Sequence, residues 1–88
     1  MTLTQQYVAD EFLAAADAAG LKKAMVLVGR IAASEFLVTL TLPNPVAAGA
    51  DDEMLVCSAL YDFENAAHVK RIAADRARLF AESIPTIH

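Results

Sequence analysis

The sequence has few of the residues that most often mark a catalytic or metal site. It contains one cysteine, two histidines and no tryptophan in 88 residues. The lone cysteine, Cys57, excludes an intramolecular disulfide and a multi-cysteine metal cluster, and it is typical of a reducing compartment. The glycines at positions 20, 29 and 49 form neither a phosphate-binding loop nor a dinucleotide fingerprint. We therefore expect no catalytic residues, no metal and no cofactor.

Long apolar runs and a basic charge balance are also missing. No stretch approaches the ~20 apolar residues that span a membrane, and the N-terminal residues do not resemble a secretory signal. Seven basic and eleven acidic residues give a net charge of −4, which opposes general binding to nucleic acid. The sequence predicts a cytoplasmic protein with no membrane contact, and it argues against nucleic acid as a partner.

What the sequence has in excess is apolar residues, which make up 57% of the chain. We expect residues 1–88 to form one domain, because two cores of half this size would each be too small to be stable. A single small domain cannot bury so many apolar side chains. We therefore expect a homo-oligomer, with a dimer as the first expectation, or an obligate protein partner.

Helical periodicity marks both ends of the chain. The first helix can be capped by Thr2 or Thr4, and Gly20 supplies the left-handed residue that ends it. Asp62 is predicted to cap the last helix, which ends near Ser83 before a proline.

Three β-rich runs lie between the helices, at 24–31, 36–42 and 54–61. The fold class that follows is α+β in the order α-β-β-β-α, with a three-stranded antiparallel sheet and two helices on one face. Residues 21–33 are also compatible with an alanine-rich helix, which would give the order α-α-β-β-α.

Two helices on one face leave the other face of the sheet uncovered, and we expect that face to bind a second copy of the chain. Strict alternation along the three strands assigns eight residues to it, or the complementary set if the register differs: Val26, Val28, Leu37, Thr39, Thr41, Leu55, Cys57 and Ala59.

The last helix carries a cluster of charged residues on the side that faces away from the sheet. The basic members are Lys70, Arg71 and Arg78, and three acidic residues share their side, so the outward charge sums to zero. We expect Arg71 to pair with Asp75, and Arg78 with the glutamate four residues later. A neutralised helix of this kind is typical of a solvated surface.

The segment KRIAADRA nevertheless resembles the second helix of the double-stranded-RNA-binding domain, which has the same order of elements. The matching positions are Lys70, Arg71 and Ala73, whereas Ala74 stands at the third basic position of that pattern. The helix also begins with DFENAAH, without the basic residues that meet phosphates in that family. The resemblance implies a nucleic-acid-binding domain as an alternative function.

Arg76 lies inside the apolar stripe of the last helix, unlike the other basic residues. Its stem can cover the core while its guanidinium reaches solvent, or the guanidinium can reach a ligand or partner chain. Three carboxylates are available as partners within the chain: Asp10, Asp17 and Asp62.

Asp51, Asp52 and Glu53 end a long loop before the third strand, where they can keep the loop soluble or form a docking site for a protein. Cys57 and His68 are the nearest approach to a catalytic pair, although a small buried residue is the ordinary explanation of Cys57.

Three functional hypotheses follow. The first is a non-enzymatic, self-associating protein-interaction module, either an accessory protein or an inhibitor similar in size and topology to phage-encoded inhibitors such as anti-CRISPR proteins. The second is a nucleic-acid-binding domain. The third is an enzyme or small-ligand binder with a site in an oligomer cleft, using Arg76, His68 or Cys57.

Overall fold

The order of elements is α-β-β-β-α, as the sequence predicted. A computed structural model describes residues 3–43 and 54–83, with α1 (Gln5–Ala18), β1 (Met25–Arg30), β2 (Glu35–Pro43), β3 (Met54–Asp62) and α2 (Ala66–Ser83). Residues 25–30 form a strand, so the alternative with a helix in this region is wrong. Within the described residues, the helices are all too short or too polar to cross a membrane.

Both ends of α1 are fixed by local hydrogen bonds. The Thr4 hydroxyl accepts a hydrogen bond from the Tyr7 N–H at 3.1 Å, which satisfies a backbone donor that the helix leaves free. At the other end, Gly20 has φ +90°, and the Leu21 N–H donates to the Ala16 carbonyl at 2.9 Å. This is the Schellman arrangement, in which a left-handed residue lets the chain turn back over the last helical turn.

The start of α2 differs from the prediction. Asn65 caps the helix, because its Oδ1 accepts from the His68 N–H at 2.9 Å, while the Glu64 N–H donates back to His68 Nδ1 at 3.1 Å. The prediction that Asp62 is the cap is wrong, since β3 continues through Asp62 and its carboxylate accepts a hydrogen bond from Ser34.

The sheet is antiparallel with β2 in the centre, and its register decides which residues share a face. Leu40 pairs with Val26 on β1 and with Cys57 on β3. Paired residues lie on the same face of a sheet, so Val26 and Cys57 belong to the face on which Leu40 is buried. We call this the covered face, because α1 and α2 pack on it.

The core lies between the covered face and the two helices. Its members are Val8, Phe12 and Ala16 from α1, Phe36, Val38, Leu40 and Leu42 from β2, and Val69, Ala73 and Phe80 from α2. Aromatic rings fill its middle, with neighbouring centroids 5.4 to 6.2 Å apart among Phe12, Phe36, Tyr61 and Phe63. These spacings are favourable for aromatic pairs.

Candidate interaction surface

The other side of the sheet carries no helix among the described residues, and we call it the open face. The pairing of β1, β2 and β3 places thirteen residues on it. Glu35, Pro43 and Asp62 lie at its ends, and the ten between them are Met25, Leu27, Gly29, Leu37, Thr39, Thr41, Met54, Val56, Ser58 and Leu60. The face is therefore mostly aliphatic, with three hydroxyl side chains.

Six large apolar side chains of the open face are strongly exposed. Their exposed fractions lie between 40% and 65% for Met25, Leu27, Leu37, Met54, Val56 and Leu60. The strand pairing makes these side chains neighbours on one surface. A contiguous patch of exposed apolar side chains is typical of a binding surface.

The predicted membership of this face was right for β2 and wrong for β1 and β3. Leu37, Thr39 and Thr41 lie on the open face. The prediction fails for Val26, Val28, Leu55, Cys57 and Ala59, which share the covered face; all but Ala59 pack against the core. Both outer strands carry apolar residues on both sides. Only their register against β2 shows which residues of β1 and β3 lie on the open face and which lie on the covered face. The sequence-based assignment therefore missed Met25, Leu27, Val56 and Leu60.

Two hydroxyl groups near the centre of the open face form a hydrogen bond with each other. Thr39 and Ser58 are cross-strand neighbours, and their hydroxyl oxygens lie 3.0 Å apart in a hydrogen bond. A buried hydroxyl without a partner costs free energy, whereas a paired one is tolerated. The middle of the face can thus be covered by another apolar surface without leaving these two groups unpaired.

One end of the open face is acidic. Glu35 and Asp62 pair there across β2 and β3. Lys22 precedes β1 at the opposite end, but its ammonium lies 3.1 Å from the carboxylate of Asp17 on α1, the helix that packs on the covered face. An apolar centre with a polar rim is the usual anatomy of a protein–protein interface.

A second feature is the groove between β3 and α2, which has a volume of about 460 Å³ and holds Arg76. The Arg76 guanidinium lies 5.8 Å from the centre of the Tyr61 ring, a favourable distance for a cation–π contact. Burial raises the pKa of the Tyr61 hydroxyl above its ordinary value, and the charge of Arg76 partly opposes that rise.

Arg76 forms no ion pair with the three carboxylates that the sequence offered as partners. Each makes another contact: Asp17 binds Lys22, and the other two accept hydrogen bonds from Gln6 and Ser34. Arg76 itself is exposed. Its aliphatic stem and its head therefore serve the groove and the Tyr61 ring rather than a buried ion pair.

The remaining basic residues of α2 are partly paired with acidic residues of the same helix. Arg78 lies 3.4 Å from Glu82, as predicted, and 3.9 Å from Asp75, which was expected to pair with Arg71. Lys70 and Arg71 are exposed, but they are only two cations on a chain of net charge −4. Counterion release from so few uncompensated charges gives little affinity for phosphates.

His68 and Cys57, the two residues considered as a catalytic pair, lie on different elements, α2 and β3. His68 Nδ1 is occupied by the Glu64 N–H at the start of α2, and Cys57 is half-buried on the covered face. Residues 3–43 and 54–83 bring together no group of three side chains able to hold a metal ion. Asp51, Asp52 and Glu53 lie outside the described residues.

Comparison with protein-family models, with curated proteins and with solved structures finds no match to this chain. A functional proposal therefore depends on the chain's own surfaces. The open face combines six exposed large apolar side chains with an acidic pair at one end.

Proposed function

We propose that this chain is a non-enzymatic protein-interaction module that self-associates through the open face of its sheet. The observation that carries the proposal is the exposure of six large apolar side chains on one surface. Leaving that area in water is unfavourable by roughly 25 cal/mol for each Å² that association would bury. A second copy supplies an identical apolar surface and removes both from water at once.

The strand lengths set the size of the contact that the open face can make. Two of the strands have nine residues. At about 3.4 Å per residue and about 4.8 Å between strands, the face measures roughly 30 Å by 15 Å. Such a face has a footprint of roughly 450 Å². That is about half of the ~800 Å² per partner of a standard interface, so a stable dimer must also bury the side chains around the face. Two sheets packed face to face, about 10 Å apart, would form a sandwich with the helices outside.

The helices are then free to meet another protein. In this arrangement α2 presents exposed cations, including Lys70 and Arg71, on the outer surface of the dimer. An accessory or inhibitor role, exerted by binding another protein, is the function that this geometry supports best. Catalysis has no assembled residues to support it in the described part of the chain.

The test compares two leucine-to-lysine variants. Leu27 is 65% exposed on the open face, and Leu13 is 48% exposed on α1. We expect the unmodified protein to have twice the chain mass of 9.4 kDa by light scattering, over a dilution series at low and high salt. Leu27→Lys should become monomeric because a buried lysine without a partner is costly, and Leu13→Lys should stay dimeric.

Circular dichroism should show native secondary structure in both variants, since both side chains are exposed. A monomeric wild-type protein at every concentration would overturn the proposal. Equal effects of the two variants on mass would also overturn it, because the open face would then have no special role.

A further inference from the structure

We infer that Gly29 is a socket in the open face that seats an apolar side chain of a second copy of this chain. The inference rests on the proposed self-association and names the position where the two copies interlock. Gly29 lies in β1 opposite Leu37. It is the one position of the open face that has no side chain, so it leaves a depression beside exposed Leu27 and Leu37.

Nothing in the single chain requires glycine at this position. A Cβ atom built on Gly29 meets no atom within 4 Å. Its φ is also outside the left-handed region, which among the described residues is occupied by Gly20 alone. Glycine inside a strand costs roughly 0.5–1 kcal/mol relative to alanine, and it often marks a place where another surface approaches closely.

Two-fold symmetry limits what can face Gly29. The central row of the open face is Leu27, Thr39 and Ser58, which are paired across the three strands. A dimer that buries most of this face places its two-fold axis over that row, in the plane between the sheets. When the strands of the two sheets are aligned, the axis runs either across the strands or along them.

Both orientations put a large apolar side chain over the socket. With the axis across the strands, β1 packs on β1 in reverse direction, and Gly29 faces Met25 of the partner subunit. With the axis along the strands, β1 packs on β3, and Gly29 faces Leu60 of the partner subunit. These two side chains are 58% and 56% exposed in the single chain, so each has surface to bury in the socket.

The experiment adds a side chain at position 29. We expect Gly29→Val to fold with equal or greater stability, because valine favours strands and finds open space. The same change should weaken self-association at least 10-fold, because the valine occupies the space that the partner's side chain would fill. Thr41→Val is the matched control, because it also places valine on the open face but replaces a side chain of nearly the same shape.

Removing the seated side chain should restore binding. In the Gly29→Val background, either Met25→Ala or Leu60→Ala should recover most of the lost affinity, and the one that does so identifies the facing residue. Sedimentation equilibrium gives the dissociation constants, and urea unfolding at high dilution gives the stability of the monomer.

The inference is overturned if Gly29→Val associates as tightly as the wild type, or if neither double variant recovers affinity. Those results leave the proposed function intact whenever Leu27→Lys still abolishes the dimer. A wild type that does not self-associate overturns both.

Discussion

The covered and open faces of the sheet differ in the kind of apolar side chain that they carry. Along β2, the residues of the covered face are at most 9% exposed, whereas Leu37 of the open face is 40% exposed. The ring cluster of Phe12, Phe36, Tyr61 and Phe63 lies on the covered side. The open face carries aliphatic side chains, two methionines and three hydroxyls.

The contrast separates two uses of apolar surface. Rigid rings with preferred packing angles specify one arrangement of helices on the sheet. Aliphatic and methionine side chains adapt more easily to a partner, so they suit a surface that is covered only on association. One strand, β2, thus contributes to folding with one set of alternate residues and to association with the other.

The largest expected difference between the two faces comes from truncating neighbouring residues of β2, one on each face. Phe36→Ala should cost about 3–5 kcal/mol because it removes a fully buried ring. A chain of this length has a total stability of only ~4–13 kcal/mol, so much of the protein should be unfolded. Leu37→Ala should cost less than about 1 kcal/mol in the monomer.

Urea unfolding followed by circular dichroism, at protein concentrations low enough to dissociate the dimer, measures both values. If Leu37→Ala were as destabilising as Phe36→Ala under these conditions, the open face would be part of the folding core. The distinction between the two faces would then fail.

Alanine substitutions at the two described glycines should change the stability of the monomer in opposite directions. Gly20→Ala should destabilise the monomer by about 1–2 kcal/mol, because φ +90° is strained for a residue with a Cβ. Gly29→Ala should stabilise it by up to about 1 kcal/mol, because the added Cβ meets no atom and the unfolded chain loses freedom.

Thermal unfolding of the two alanine variants, measured side by side at high dilution, tests the signs. A loss of stability for Gly29→Ala would show that the monomer itself needs glycine there. The glycine would then be explained by the fold of the single chain, without a second copy.

The details of the fold that the sequence predicted correctly are those marked by a glycine or by a polar residue in an otherwise apolar segment. Gly20 and Thr4 mark the ends of α1, and Thr39 and Thr41 show which side of β2 is polar. β1 and the first half of β3 lack such markers, because almost every residue is apolar. Residues 44–53 separate β2 from β3 by too many positions for a turn type to set the register.

The environment of Arg76 shows the same limit. Helical periodicity placed Arg76 inside the apolar stripe of α2, and the structure puts its guanidinium beside the Tyr61 ring. Tyr61 faces the helices only because Phe36 pairs with it across β2 and β3. A contact that depends on strand register lies beyond helical periodicity, which explains why the sequence did not suggest the Tyr61 ring as a partner of Arg76.

The smallest expected effect concerns Tyr61, whose ring lies on the covered face beside the Arg76 guanidinium. Burial raises the pKa of Tyr61 above its ordinary value of 10.0, and the nearby guanidinium lowers it. Arg76→Ala should therefore raise this pKa further, because desolvation then acts without an opposing charge. Absorbance titration of the phenol in a Tyr7→Phe background, with Arg78→Ala as the control cation, measures the shift.

The raised pKa also predicts how stability depends on pH. The folded state holds its proton more tightly than the unfolded state, so the contribution of neutral Tyr61 to stability is fully present below about pH 10 and is lost as pH rises through the folded-state value. In Arg76→Ala that loss should begin at the same pH and continue to a higher one. An unchanged or lower pKa of Tyr61 in Arg76→Ala would show that the guanidinium does not lie beside the ring. The cation–π contact would then be ruled out.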